Sequence, residues 1–231
     1  MSFYIDQWYI ILVLPTIVIS FLAQFKVKSS YRKYSRIATA KGITGAMAAR
    51  IILDSKGLYN VAVTQIGGEM TDHFNPKTNV VALSTGVYNS ASVAAVGIAA
   101  HEVGHAIQHS EKYFPAQIRA AIVPTVNFSA RISWFAIIVG LLFSIGWLAV
   151  VGLVLISFST LFQLVTLPVE LDASRRANNQ LAACAVIAGK EEENGVRNML
   201  TAAAMTYVAA LLTSVATLLR LILIVNGRGR R

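Results

Sequence analysis

Apolar residues dominate three long stretches of the chain, residues 4–25, 132–168 and 201–225. A helix rises ~1.5 Å per residue, so about 20 apolar residues cross the ~30 Å hydrocarbon core of a bilayer. The first stretch, "YIDQWYIILVLPTIVISFLAQF", is long enough to span despite Asp6 and Pro15. Its start is acidic and it ends in "FKVKSS". A cleavable signal peptide wants a basic start and a small-residue cleavage site, so the pattern predicts an uncleaved anchor. The second stretch would make roughly 55 Å of helix, too long for one span. It predicts two shorter helices folded near "FSIGW", residues 143–147. The third predicts a last helix over 201–225, rich in small residues suited to close packing, with Arg220 near its end able to snorkel to the interface.

Between the first two stretches the pattern changes. Residues 26–120 mix polar and apolar positions and read as facing water. "ITGAMAARIILDSKG" has helical spacing, with Thr44 as N-cap and Gly57 as stop. "NVAVTQI" reads as a strand. "DHFNPKTNVVALS" reads as a hairpin: a short strand, a turn at Asn75-Pro76, and a second strand over 79–84. Ser90 or Ser92 then caps a helix running to about residue 110. Charge returns after the second apolar stretch, in "VELDASRRAN" at 169–178.

The pattern therefore predicts a mainly α, polytopic membrane protein with about four membrane helices and a small α+β region. Its expected parts are an anchor helix (1–25), a cytoplasmic region (26–120), a membrane hairpin (121–168), a returning segment (169–200), and a last helix with a basic tail (201–231). Composition agrees. Of 231 residues, 55% are hydrophobic and 13% charged, against ~25% charged in a soluble domain. The formal charge of +9 reads as basic flanks of membrane spans facing cytoplasm and anionic lipid. No nucleic-acid motif accompanies it, so nucleic acid is not an expected partner. Cys184 is the single cysteine, which excludes an intrachain disulfide; it reads as a small buried residue. Lys26, Lys28, Arg32, Lys33 and Arg36 follow the first span and place the next segment in the cytoplasm. Four spans then put the tail "GRGRR" outside, against the same rule. The larger cluster decides the orientation.

The chemistry sits in "AAHEVGHAIQH", residues 99–109. His101 and His105 are four apart, so both imidazoles lie on one helical face. That spacing suits two zinc ligands from one helix. Glu102 lies beside them, where it can take a proton from water without ligating the metal. Gly97 and Gly104 allow close approach of other backbone. The plain alternative is a helix that happens to carry histidines. A catalytic zinc needs a third protein ligand and an open position. His109 lies about 12 Å of helical rise from His101, too far to share an ion. Glu170 and Asp172 come where the membrane hairpin re-enters the cytoplasm. Glu170 is expected as the third ligand. Asp172 is the runner-up, or a carboxylate that orients a ligand from behind.

The stretches "TDHFNPKTNVVALSTGVY", "AAHEVGHAIQH", "LPVELDASRRAN" and "AAAMTYVAA", in that order, resemble the YugP-type membrane zinc metallopeptidases. More distantly the plan resembles the HtpX and CAAX-type gluzincins, in which HExxH and a downstream ExxxD flank a membrane hairpin. The resemblance implies a Zn2+ cofactor and the glutamate at Glu170. The gluzincin aspartate would fall on Ser174, a departure from that pattern. It further implies a membrane-associated protein or peptide substrate and a bacterial plasma membrane, with the site on the cytoplasmic side. In such peptidases an edge strand beside the zinc helix binds substrate as an added strand, and residues 79–84 are expected to be that edge. An oxyanion stabiliser is expected among His73, Tyr113 and Tyr207, without a choice between them.

The leading expectation is a membrane-bound zinc endopeptidase. A site-2-type intramembrane protease would need HExxH inside a span and a downstream Asp-Gly, whereas "LDAS" lacks the glycine. A non-catalytic, metal-stabilised scaffold would not need Glu102 and would have four protein ligands. Substrate, regulator and oligomeric state are not written in the sequence.

Overall fold

The computed structural model describes residues 6–143 and 145–228. Tyr4 and Ile5 of the first apolar stretch, Ser144 of the expected fold-back and residues 229–231 of the basic tail lie outside the described residues. A π-helical turn, Tyr9–Val13, leads into α1 (Leu14–Tyr34). There follow α2 (Gly45–Ser55), β1 (Ala62–Ile66), β2 (His73–Asn75), β3 (Val80–Ser84), α3 (Thr85–Tyr88) and α4 (Val93–Ser110). Three long helices complete the chain: α5 (Phe114–Leu142), α6 (Gly146–Ala183) and α7 (Gly189–Arg228). Among the described residues four helices, Tyr9–Tyr34, α5, α6 and α7, are long and apolar enough to cross a membrane. The chain is thus mainly α with a small α+β region.

The break between α5 and α6 falls where the apolar length demands it: α5 ends at Leu142 and α6 begins at Gly146. Both helices run further than the apolar stretch. α5 begins at Phe114, and α6 carries straight on through "VELDASRRAN" to Ala183. α7 likewise begins at Gly189, before its apolar part. The expected divisions at 120/121, 168/169 and 200/201 therefore fall inside continuous helices. Hydropathy marks the lipid-exposed part of a helix, whereas the backbone ladder continues into polar sequence wherever capping or packing supports it.

The residues form two compact units. One comprises the described residues of Met1–Ala23, Gln117–Pro168 and Thr206–Arg231; the other is Gln24–Ala116 with Val169–Met205.

In the first unit, glycines set the α5–α6 approach. A Cβ on Gly140 would lie 2.5 Å from the Ala149 nitrogen, and one on Gly152 would lie 2.8 Å from the Ser133 carbonyl oxygen. Hydroxyl pairs tie helices together: Ser20 with Thr213 at 3.2 Å, and Thr160 with Ser214 at 2.8 Å. Arg220 does not snorkel. It is buried, donates to Asp6 Oδ2 from Nη2 (2.8 Å) and Nε (3.1 Å), and lies over the Tyr9 ring. Pairing across the bundle removes the cost of leaving either charge alone in an apolar setting.

The second unit holds a three-stranded sheet in the order β1-β3-β2, with β1 parallel and β2 antiparallel to β3. β3 is therefore the central strand, and the expectation that 79–84 forms an edge is wrong. Both of its sides are paired, and Val81, Ala82 and Leu83 are buried, as befits a strand covered on both faces. The edges are β1 and β2. Around the sheet, Ile52 and Leu53 of α2, Leu83 of β3, Val96 and Val103 of α4, Leu181 of α6 and Val196 of α7 share one core. α4 is apolar or small nearly all round, so it runs through the interior. Its start is fixed by Ser92, whose hydroxyl accepts from the Ala95 N–H at 3.2 Å. Thr44 caps α2 in the same way, through the Met47 N–H, and Gly57 sits at positive φ just beyond that helix.

Candidate metal centre

α4 carries His101, Glu102, His105 and Gln108 on successive turns, and α6 carries Glu170, Asp172 and Ser174. The two helices meet closely because position 104 is glycine. A Cβ there would lie 2.6 Å from the Ala173 carbonyl oxygen. At Gly97 the neighbours are the Met199 methyl and Val196 of α7.

That contact brings three donors together. His101 Nε2 lies 3.2 Å from Glu170 Oε2, and His105 Nε2 lies 3.5 Å from the same oxygen. The three ligand atoms lie within 4.8 Å of one another. Two donors each about 2.1 Å from a tetrahedral zinc stand about 3.4 Å apart, so the set fits such an ion with small adjustments. The rings are 4.8 Å apart at 83°, edge to face, so the nitrogens converge rather than stack. The histidine side chains are 16% and 18% exposed and Glu170 is 3% exposed. Glu170 is sealed in the core while the histidines keep an opening to solvent.

Each histidine is held from behind. Ser174 Oγ lies 3.2 Å from His101 Nδ1. Gln108 Oε1 lies 3.1 Å from His105 Nδ1. Such contacts fix ring orientation and leave Nε2 for a metal. Burial disfavours charge on His105, but the hydrogen bonds to Glu170 and Gln108 and the charges of Glu102 and Glu170 outweigh it, holding its pKa above the ordinary histidine value. A dication would compete with that proton for the same lone pair.

Asp172 does not join the donors. It is buried, accepts from Gln108 Nε2 at 3.0 Å and from Arg176 Nε at 2.5 Å, and is also paired with Arg175. Arg176 continues to Glu111 Oε2, just past the end of α4. Glu102 Oε2 accepts the Phe74 N–H at 3.0 Å, which places the carboxylate against edge strand β2. His109 stands in the last turn of α4 with its ring 5.8 Å from Phe74, outside the donor group. His73 is exposed on β2 with Nδ1 against the Thr71 carbonyl. Tyr113 lies under the Arg176 guanidinium, and Tyr207 belongs to α7 in the other unit. Cys184 is half-buried with a free thiol.

Sequence reasoning overlooked Gln108 and gave Ser174 no role. Gln108 stands three residues after His105, one turn along the same face, which was a usable signal. Ser174 occupies the place expected of an aspartate and still reaches His101.

A family model described as "Putative neutral zinc metallopeptidase" matches residues 9–226. The chain is 45% identical over 221 residues to "Putative membrane protease YugP" of Bacillus subtilis (strain 168), covering 95% of this chain and 98% of that protein. No solved structure matches. A match of this length, with the His-His-Glu group inside it, means that the chain belongs to the family described as "Putative neutral zinc metallopeptidase".

Proposed function

We propose that this protein is a zinc endopeptidase of the bacterial plasma membrane, with its site at the cytoplasmic face. The observation that carries the reading is the convergence of His101 Nε2, His105 Nε2 and Glu170 Oε2, with Glu102 beside them but outside the ligand set. Zinc held there would lower the pKa of water toward ~7 and polarise a peptide carbonyl. Glu102 takes the water's proton and delivers it to the leaving amine. Its carboxylate is held in place by the Phe74 N–H. Ser174 and Gln108 keep both imidazoles turned toward the shared point. β2, an edge strand touching Glu102, is the place for a substrate strand to pair. Of the oxyanion candidates, His73 is the one on that strand.

Glu170 follows the apolar part of α6 directly, which supports a site at the membrane surface and a membrane-associated protein as substrate. The segments 26–120 and 169–200 are read as cytoplasmic from the basic cluster after the first span. An intramembrane protease fits less well, because α4 is not one of the four helices long and apolar enough to span. A purely structural metal site fits less well, because it would close its fourth position with a protein ligand.

Metal content of detergent-purified protein, measured by mass spectrometry beside casein cleavage, tests the reading. Wild type is expected to carry about one zinc per chain. Glu170→Ala loses it, and His109→Ala keeps it. Glu102→Gln stays loaded while cleavage falls ~10²–10⁴-fold, the usual worth of a positioned acid–base group. Zinc retained in Glu170→Ala would remove that residue from the ligand set.

A further inference from the structure

Gln108 is polar, carries no charge, and is only 1% exposed. Such a side chain in a core is costly unless every hydrogen-bonding group finds a partner. Its Nε2 donates to the Val169 carbonyl at 2.8 Å and to Asp172 Oδ2 at 3.0 Å. Both partners are pure acceptors, so the amide cannot be turned over. Its Oε1 must then face His105 Nδ1, 3.1 Å away, and an amide oxygen can only accept. His105 is thereby obliged to carry its proton on Nδ1, which leaves the Nε2 lone pair for a metal. Val169 is also the residue before Glu170. One side chain thus orients a ligand on α4 and fixes the backbone that delivers the ligand on α6.

From this geometry we infer that Gln108 is the positioning residue of the metal centre, and that Asp172 acts on His105 through it. Asp172 is itself held by Arg175 and Arg176, so its charge is retained in the core and keeps the amide polarised toward the histidine. The sequence could suggest only a carboxylate touching a histidine directly. The structure replaces that contact with a relay from Asp172 through Gln108 to His105. The inference rests on the proposed metal reading.

The test is zinc affinity by competition with a chromophoric chelator, on full-length protein in detergent. The visible spectrum of the cobalt-loaded protein serves as a second readout. Gln108→Met keeps the volume and removes the hydrogen bonds. It is expected to weaken zinc binding about 10–100-fold, as loss of an orienting partner does, and to change the cobalt bands. Asp172→Asn is expected to weaken binding less, and to add nothing further in the Gln108→Met background. Gln108→Glu alone sets two carboxylates together and should bind poorly. Combined with Asp172→Asn the clash of carboxylates is relieved, because the new amide at 172 can donate to the carboxylate at 108 while that carboxylate still accepts from His105; affinity should partly return, with the Val169 carbonyl still lacking its donor. If Gln108→Met does not fold, this exchange pair decides. Wild type without zinc affinity would sink the metal reading. Wild type that binds zinc, with Gln108→Met or the Gln108→Glu single variant binding equally tightly, would leave that reading standing and overturn the relay. A merely structural Gln108 would lower the melting temperature of the metal-free protein and leave both metal readouts unchanged.

Discussion

At the scale of single residues, Gly104 and Gly97 make different demands although both sit on α4. A Cβ at 104 meets backbone, the Ala173 carbonyl at 2.6 Å, whereas at 97 the nearest atom is the end of the flexible Met199 side chain at 2.8 Å. Backbone cannot give way without moving α6, which carries Glu170. Gly104→Ala should therefore destabilise by about 1–3 kcal/mol, as overpacking does, and weaken zinc binding as well. Gly97→Ala should cost less and leave zinc affinity near wild type. Thermal unfolding and metal titration of the two variants separate the cases. The His101–His105 spacing was legible because it is local: four residues on a helix define one face. Ser174 was not, because what its hydroxyl touches depends on where α6 lies; Gln108 was legible as a neighbour of His105 on α4, but its contacts to Val169 and Asp172 were not.

At the scale of elements, α4 is a site helix held by its cap and its surroundings. Ser92→Ala removes the acceptor for the Ala95 N–H and should cost about 1 kcal/mol. In a chain of this size that lowers the melting temperature by roughly 2–4 °C, with zinc stoichiometry unchanged because the proposed ligands sit two turns further on. The caps, the strands and the break between α5 and α6 could all be read from the chain, since each is specified by neighbours within a few residues. The role of β3 could not. Alternation and apolar runs report which faces of a strand are buried, not which strands flank it. From β1 the chain passes over the place of β3 to form β2 and only then returns to lay β3 between them. Helix ends were also misjudged where polar sequence continued a helix, as in α6 beyond Pro168.

At the scale of the whole molecule, two predictions concern the membrane. Half-buried Asp6 and buried Arg220 form an ion pair 214 positions apart in sequence. Arg220→Met alone leaves the Asp6 carboxylate without its partner and should destabilise by about 1.5–3 kcal/mol, the worth of hydrogen bonds to a charged group, whereas Asp6→Leu with Arg220→Met should recover most of the loss. Unfolding in detergent micelles measures both. Orientation is checked by labelling single cysteines in a Cys184→Ser background. Lys41→Cys and Glu193→Cys should react from the cytoplasmic side, and Gly146→Cys, at the α5–α6 turn, from the other. Labelling of all three from one side would overturn the topology.

What the sequence by itself determined was everything governed by short-range periodicity and composition: four apolar helices, the small α+β region, the caps of α2 and α4, and a histidine pair beside a glutamate. It also pointed to Glu170 by the position of its charge after a long apolar run. Only the tertiary structure decided which atoms meet. It set Glu170 Oε2 between two histidines 65 and 69 residues away, put β3 at the centre of its sheet, routed Asp172 through Gln108, and drew Arg220 inward to Asp6. The physical reason is the same throughout. Secondary structure follows from local backbone and side-chain preferences, whereas the pairing of distant polar groups is set by the close packing that brings their backbones together and by the cost of burying them unpaired.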